Sequence, residues 1–227
     1  MPELIFIHIP KTGGISLLQT LRQVYGEEDV KQIFSLLPYS GDQELHQADS
    51  ALYRNHATFR HTVNQCLADA DYPVLYGHIP VWVLEDLWPG VPRITCVRKP
   101  VNQVLSRVFH WRKENIEGAR NTPPRELALS PVFRNNQSLY TGDSLRNFTH
   151  VGILEQYNDF LYELARDFHW GDVTPLHDHP TNYDNDLRTE VENDIEFLSL
   201  LERANYRDMA LYDWATEQWR ERGLGTV

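Results

Sequence analysis

The string His8-Ile9-Pro10-Lys11-Thr12-Gly13-Gly14-Ile15-Ser16 concentrates groups that bind an anion. Glycines let backbone N–H groups approach phosphate-type oxygens, because no Cβ stands in the way. Lys11 adds a mobile cation, while Thr12 and Ser16 add hydroxyl donors. A helix starting here would add a dipole that favours negative charge. The lysine precedes the glycine pair, so this is not the Walker order Gly-x-x-x-x-Gly-Lys-Ser/Thr. The alternative is a plain tight turn with a solvated lysine.

A second stretch has complementary chemistry. Arg93-Ile94-Thr95-Cys96-Val97-Arg98-Lys99-Pro100 ends an apolar run on an arginine, and Ser106 follows eight positions after Arg98. At the carboxyl end of a strand, where open α/β sheets bind ligands, a guanidinium fork suits an anion. Ser106 adds a hydroxyl to the same anion.

Ten histidines compete for the role of a proton acceptor. His78, in Leu75-Tyr76-Gly77-His78-Ile79-Pro80, stands at the end of an apolar run beside a glycine. A ring titrating near neutrality there suits general-base work, against the alternative of a structurally bonded histidine. His8 lies on the first apolar run and is expected to be buried and hydrogen-bonded. His177-Asp178-His179 lacks a distant third ligand, so it reads as a polar loop ahead of a zinc site, and no metal is expected. Arg107, Arg112, Lys113, Arg120 and Arg125 read as either a groove wall or a solvated face. Tyr206, Tyr212, Trp214 and Trp219 read as core packing.

The elements that must carry these groups alternate. Leu4–Ile9 is a strand, Lys11–Gly14 a turn, and Ser16–Val24 has helical spacing. Val74–Ile79 and Arg93–Val97 are further strands, and Val101–Lys113 is an amphipathic helix. Glu117 to Ser144, rich in Asn, Pro, Arg and Ser, reads as a loop-dominated insertion extending to about residue 150. Val151–Ile153, a helix over Tyr157–Phe168, a polar loop over His177–Asn185 and a helical region over Leu187–Arg222 complete the chain. Strand, glycine turn and helix open an α/β unit with a central parallel sheet flanked by helices, a P-loop-like nucleotide-binding fold.

Length and composition fit one such domain over 1–227: 41% of residues are hydrophobic and 23% charged. A net charge of −11 disfavours nucleic acid or a polyanion spread over the surface, yet allows a local basic pocket. The start reads as a first strand, and no apolar run approaches the roughly 18 residues of a membrane span, so the expected location is cytoplasmic. Cys96 reads as a buried thiol, with a Cys66 pairing as the alternative. The sequons at Asn136 and Asn147 read as chance matches.

Together, these stretches resemble sulfotransferases that use 3′-phosphoadenosine 5′-phosphosulfate (PAPS), particularly the heparan sulfate 2-O-sulfotransferase-like group and its small bacterial members. The first string is similar to that family's 5′-phosphosulfate loop, Pro-Lys-Thr-Gly-Gly-Thr-Ser, with Ile15 in place of threonine. Arg98 and Ser106 match its 3′-phosphate motif, with Lys99 where an acidic residue is usual and Gln103 where arginine is frequent. The Tyr76-Gly77-His78-Ile79 segment is similar to its Tyr-x-Gly-His-Val stretch. Asn136-Gln137, Val151–Glu155 and Asn205–Tyr212 echo further landmarks. The resemblance implies sulfuryl transfer from PAPS to a hydroxyl on a glycan, lipid or small metabolite, with PAP as product and no metal required. Lys11, Thr12, Gly13, Gly14, Ile15, Ser16, Arg98 and Ser106 would hold the donor. Lys11 and His78 would be catalytic. Two other readings stay open: a small-molecule or nucleotide kinase, and a non-catalytic PAP or PAPS binder.

Overall fold

The computed structural model describes residues 1–33, 56–176 and 185–223. In chain order its elements are β1 (Leu4–Ile7), α1 (Gly14–Tyr25), β2 (Val30–Gln32), α2 (His56–Leu67), β3 (Val74–Gly77), β4 (Arg93–Val97), α3 (Pro100–Glu114), α4 (Pro124–Ala128), α5 (Asn136–Thr141), β5 (His150–Ile153), α6 (Tyr157–Asp167), α7 (Asn185–Glu192), α8 (Ile195–Ala204) and α9 (Tyr206–Glu221).

All strand pairings among the described residues are parallel, in the order β2-β3-β1-β4-β5. Parallel strands are covered on both faces and therefore read as unbroken apolar runs. Leu4–Ile7 is buried at every position, as is Val74–Gly77. Each fully buried Leu or Ile contributes about 1.5–3 kcal/mol. The chain leaves β1 toward β2 on one side, while β4 leads to β5 on the other. The crevice between the carboxyl ends of β1 and β4 is thus the topological switch point, where this architecture binds ligands.

Helix α1 buries Leu17 and Leu21 against the sheet and ends at Gly26. Helix α3 starts on Pro100, whose missing N–H costs nothing in a first turn, and stops at Asn115 in the left-handed conformation. Its apolar side, including Val101, Val104, Leu105, Val108 and Trp111, packs a second core with Ala128, Phe133, Val191, Phe197 and Leu201.

That second core changes the reading of the insertion. Between Ile116 and Thr141 the chain forms short helices, with 3-10 turns at Ile116–Asn121 and Pro131–Phe133. Its polar composition suggests loop, but Ala119, Leu127, Ala128 and Phe133 are buried against α3, and that packing overrides weak local propensity. Cys96 is buried and Cys66 exposed, and both are free thiols. Among the described residues, no helix is long and apolar enough to cross a membrane. The His177–His179 loop lies outside the described residues.

Candidate functional site

The glycine loop begins where β1 ends. His8 N–H still donates to Gly77 O at 2.9 Å, continuing the pairing with β3. Thr12 Oγ1 then donates to Ile9 O at 2.9 Å and closes the turn. Thr12 is only 1% exposed, so its hydroxyl holds the loop's shape. Two residues take the left-handed conformation, Lys11 at φ 66° and Gly13 at φ 82°. For lysine that costs roughly 1–2 kcal/mol, strain which the surrounding loop must offset.

Glycine is required at both positions of the pair. A Cβ at Gly13 would meet Leu154 Cδ1 at 2.5 Å, and one at Gly14 would meet the His8 ring at 1.9 Å. Leu17 N–H donates to Gly13 O at 3.3 Å, so the N–H groups of Gly14, Ile15 and Ser16 precede the first helical hydrogen bond. Among the described residues no side chain caps α1, and its first turn carries no acid. These features fit an anion. Ser16 is buried there, whereas Ile15 is 52% exposed.

The arginine stretch reaches the same place. Arg98 Nη1 donates to Lys11 O at 3.3 Å. On α3, Gln103 is fully buried and its Nε2 donates to both Pro10 O (2.9 Å) and Asn136 Oδ1 (3.1 Å). The two stretches are therefore joined twice, through Arg98 and through Gln103. Ser106 lies three positions beyond Gln103 on the same side of the helix and is buried. The first turn of α3 also carries no acidic residue.

The backbone of Arg98 is itself held. Its N–H donates to Gln137 Oε1 at 2.9 Å, and its carbonyl accepts from Gln137 Nε2 at 2.8 Å. Lys99 N–H donates to Glu155 Oε1 at 3.0 Å. Gln137 N–H in turn donates to Asp208 Oδ2 at 2.9 Å. Ser138 donates to Asp208 Oδ1 through both its N–H (2.7 Å) and its hydroxyl (2.6 Å). Burial pushes the Asp208 carboxyl above its usual value, while these donors and the nearby Arg107 charge pull it down.

His78 follows β3 directly. Its Nδ1 lies 2.6 Å from His8 O, so the neutral ring carries its proton on Nδ1 and its lone pair on Nε2. The His8 and His78 ring centroids are 4.2 Å apart, and Tyr140 lies 6.3 Å from His78. His8 is half-buried and touches both His78 and the Gly14 position, so it belongs to the site and not only to the core.

Other basic residues fall elsewhere. Arg107 is neither a groove wall nor a solvated cation: it is 3% exposed, lies 4.8 Å over the Phe133 ring and donates to Val132 O at 3.3 Å. Burial lowers its pKa to about 10. Arg112 donates to Ala119 O at 3.2 Å and also to Thr122 O. Arg125 pairs with Asp194 at 2.9 Å, and Lys113 and Arg120 are exposed. Trp219 is core, as its pattern predicts, and Tyr212 and Trp214 pack partly against the core, but Tyr206 is 67% exposed. Among the described residues no group of three metal-ligating side chains gathers. The sequence named Gln103 as a departure from the resembled family and Gln137 and Asp208 as parts of landmarks, but not the contacts they make.

The chain is an α/β protein that gathers the loop, the arginine and the histidine at the switch point of its sheet. No protein-family model matches this chain, and no curated protein does. Among solved structures it is similar to a sulfotransferase from Alicyclobacillus acidocaldarius. Identity is 15%, the match covers 90% of this chain and 97% of that one, and the TM-score is 0.37. A superposition that loose lends no weight to a function.

Proposed function

We propose that the chain is a sulfotransferase that moves the sulfuryl group of PAPS to a hydroxyl of a glycan, lipid or small metabolite. One observation carries this reading: Arg98 Nη1 lies 3.3 Å from Lys11 O, with the two stretches meeting at the carboxyl ends of β4 and β1. A single bisphosphorylated nucleoside has an anionic group for each of those stretches.

In this reading the loop from Lys11 to Ser16 binds the 5′-phosphosulfate through its N–H groups and the lysine. Arg98 and Ser106 bind the 3′-phosphate. The acceptor oxygen attacks sulfur in line, and the bond from sulfur to the bridging 5′-phosphate oxygen breaks. The acceptor's proton passes to His78 Nε2, whose partner nitrogen is bonded to the His8 carbonyl. Lys11 offsets the charge that collects on the leaving phosphate oxygen. Positioning supplies the rest of the barrier reduction.

Saturating PAP should raise the melting temperature, with stabilisation of about 2.7 kcal/mol at a hundredfold excess over Kd. Adenosine alone should not. A screen of alcohol acceptors with sulfur-labelled PAPS then tests transfer. A chain that binds ADP with magnesium but ignores PAP would be a kinase instead. A chain that binds PAP and never turns over would be a binder.

A further inference from the structure

Gln137 does not face solvent and is not an ordinary buried amide. It is 1% exposed, and both ends of its amide are spent on one residue's backbone, the N–H and the carbonyl of Arg98. A planar amide that accepts from one peptide group and donates to the next fixes both position and tilt of the backbone between them. Arg98 sits at the strand-to-helix junction, between the last residue of β4 and Lys99 and Pro100, outside both elements. The neighbouring residue on α5, Asn136, accepts from Gln103, which also holds Pro10 of the glycine loop. Asp208 anchors the first turn of α5 from α9 through Gln137 N–H and Ser138.

Resting on the donor reading above, we infer that Gln137 is a positioning residue for 3′-phosphate recognition, acting through the backbone of Arg98. The first turn of α5 sets the spacing between the two halves of the donor site, with Gln103 gripping one half and Gln137 the other. Gln137 touches no part of the donor itself.

The test uses the full chain and two probes, PAP and AMP, titrated calorimetrically. AMP has only the 5′-phosphate, so the ratio of the two affinities reads the 3′-phosphate contribution. In Gln137→Met, which removes both amide bonds, that ratio should fall about tenfold, the scale of one charge-assisted contact, while AMP affinity stays within about threefold. Gln103→Leu should do the reverse and weaken both probes by a common factor, because it loosens the loop. If Gln137→Met does not fold, Gln137→Asn, shorter by one methylene but still polar, should give the same split. Equal losses for both probes, or no loss for either, would overturn the inference and leave only a structural glutamine. If the unmodified chain ignores PAP altogether, the donor reading falls first and takes this inference with it.

Discussion

The two halves of the proposed anion site are built in different ways. The glycine half is made of consecutive residues: its shape follows from Lys11 and Gly13 at positive φ, the Thr12 turn bond and the His8 ring over Gly14. The arginine half is assembled from distant pieces: Arg98 is held by Gln137, Lys99 by Glu155, and Gln137 by Asp208. A contiguous loop stores most of its geometry in backbone dihedrals and close contacts, with Gln103 and Arg98 tying it from outside. An assembled half stores it in hydrogen bonds between elements far apart in the chain. The first should fail abruptly when one atom is added, and the second should loosen by degrees.

The largest expected effect tests whether catalysis separates from either grip. His78 hangs on the carbonyl of His8 at the start of the contiguous half. His78→Ala should cut turnover about 10²- to 10⁴-fold, the usual worth of a general base, while PAP affinity changes little. Pre-steady-state rates with labelled PAPS check this. Equal losses of binding and turnover would mean the ring builds the pocket and moves no proton.

Next in size, Arg98→Ala should weaken PAP roughly 10- to 100-fold, from the lost charge-assisted contacts, with a smaller loss for AMP from the broken bond to Lys11 O. Arg98→Lys should recover part of that, because a point charge cannot reproduce the fork. Uniform losses on AMP and PAP would erase the division between the halves.

Gly14→Ala probes the abrupt half. The new Cβ would fall 1.9 Å from the His8 ring, which lies against Phe6 and His78 and has little room to yield. Overpacking of this kind costs about 1–3 kcal/mol, readable by denaturant melts. Gly90→Ala is the contrast, since nothing lies within 4 Å of its Cβ at φ 86° and only the dihedral strain remains. Gly14 is helical and carries no dihedral strain of its own, so a cost no larger than at Gly90 would show that the His8 ring yields to the added methyl.

What could be read from sequence follows the same division. The strand run Leu4–Ile7 announces itself, because burial on both faces leaves no polar interruption, and Arg93–Val97 is legible from its β-branched Ile94, Thr95 and Val97. The glycine loop is legible because its constraint is local. The helical character of 116–141 was hidden, since its apolar residues are too sparse to show a period and are ordered by contact with α3. Gln137 and Asp208 were visible only as letters: a buried amide paired across 39 positions has no local signature. Gln103, where the resembled family often has arginine, reads from sequence only as a departure, whereas its buried amide ties the loop to α5.

The remaining effect concerns pH and belongs to the assembled half alone. Asp208 is fully buried and faces Gln137 and Ser138 of α5 and the guanidinium of Arg107 on α3. Burial raises its carboxyl above the ordinary 3.8. Between that value and the higher folded one, the folded chain keeps a proton the unfolded chain has lost, so this group's contribution to stability falls as pH rises through the window. Asp208→Asn cannot titrate. The stability of the wild type relative to this variant should therefore drift downward as pH climbs above about 4. Chemical denaturation across that range checks the sign. A drift in the opposite direction would mean that the three donors on the carboxylate outweigh its desolvation, and the first turn of α5 would then tighten on Arg98 as the acid ionises.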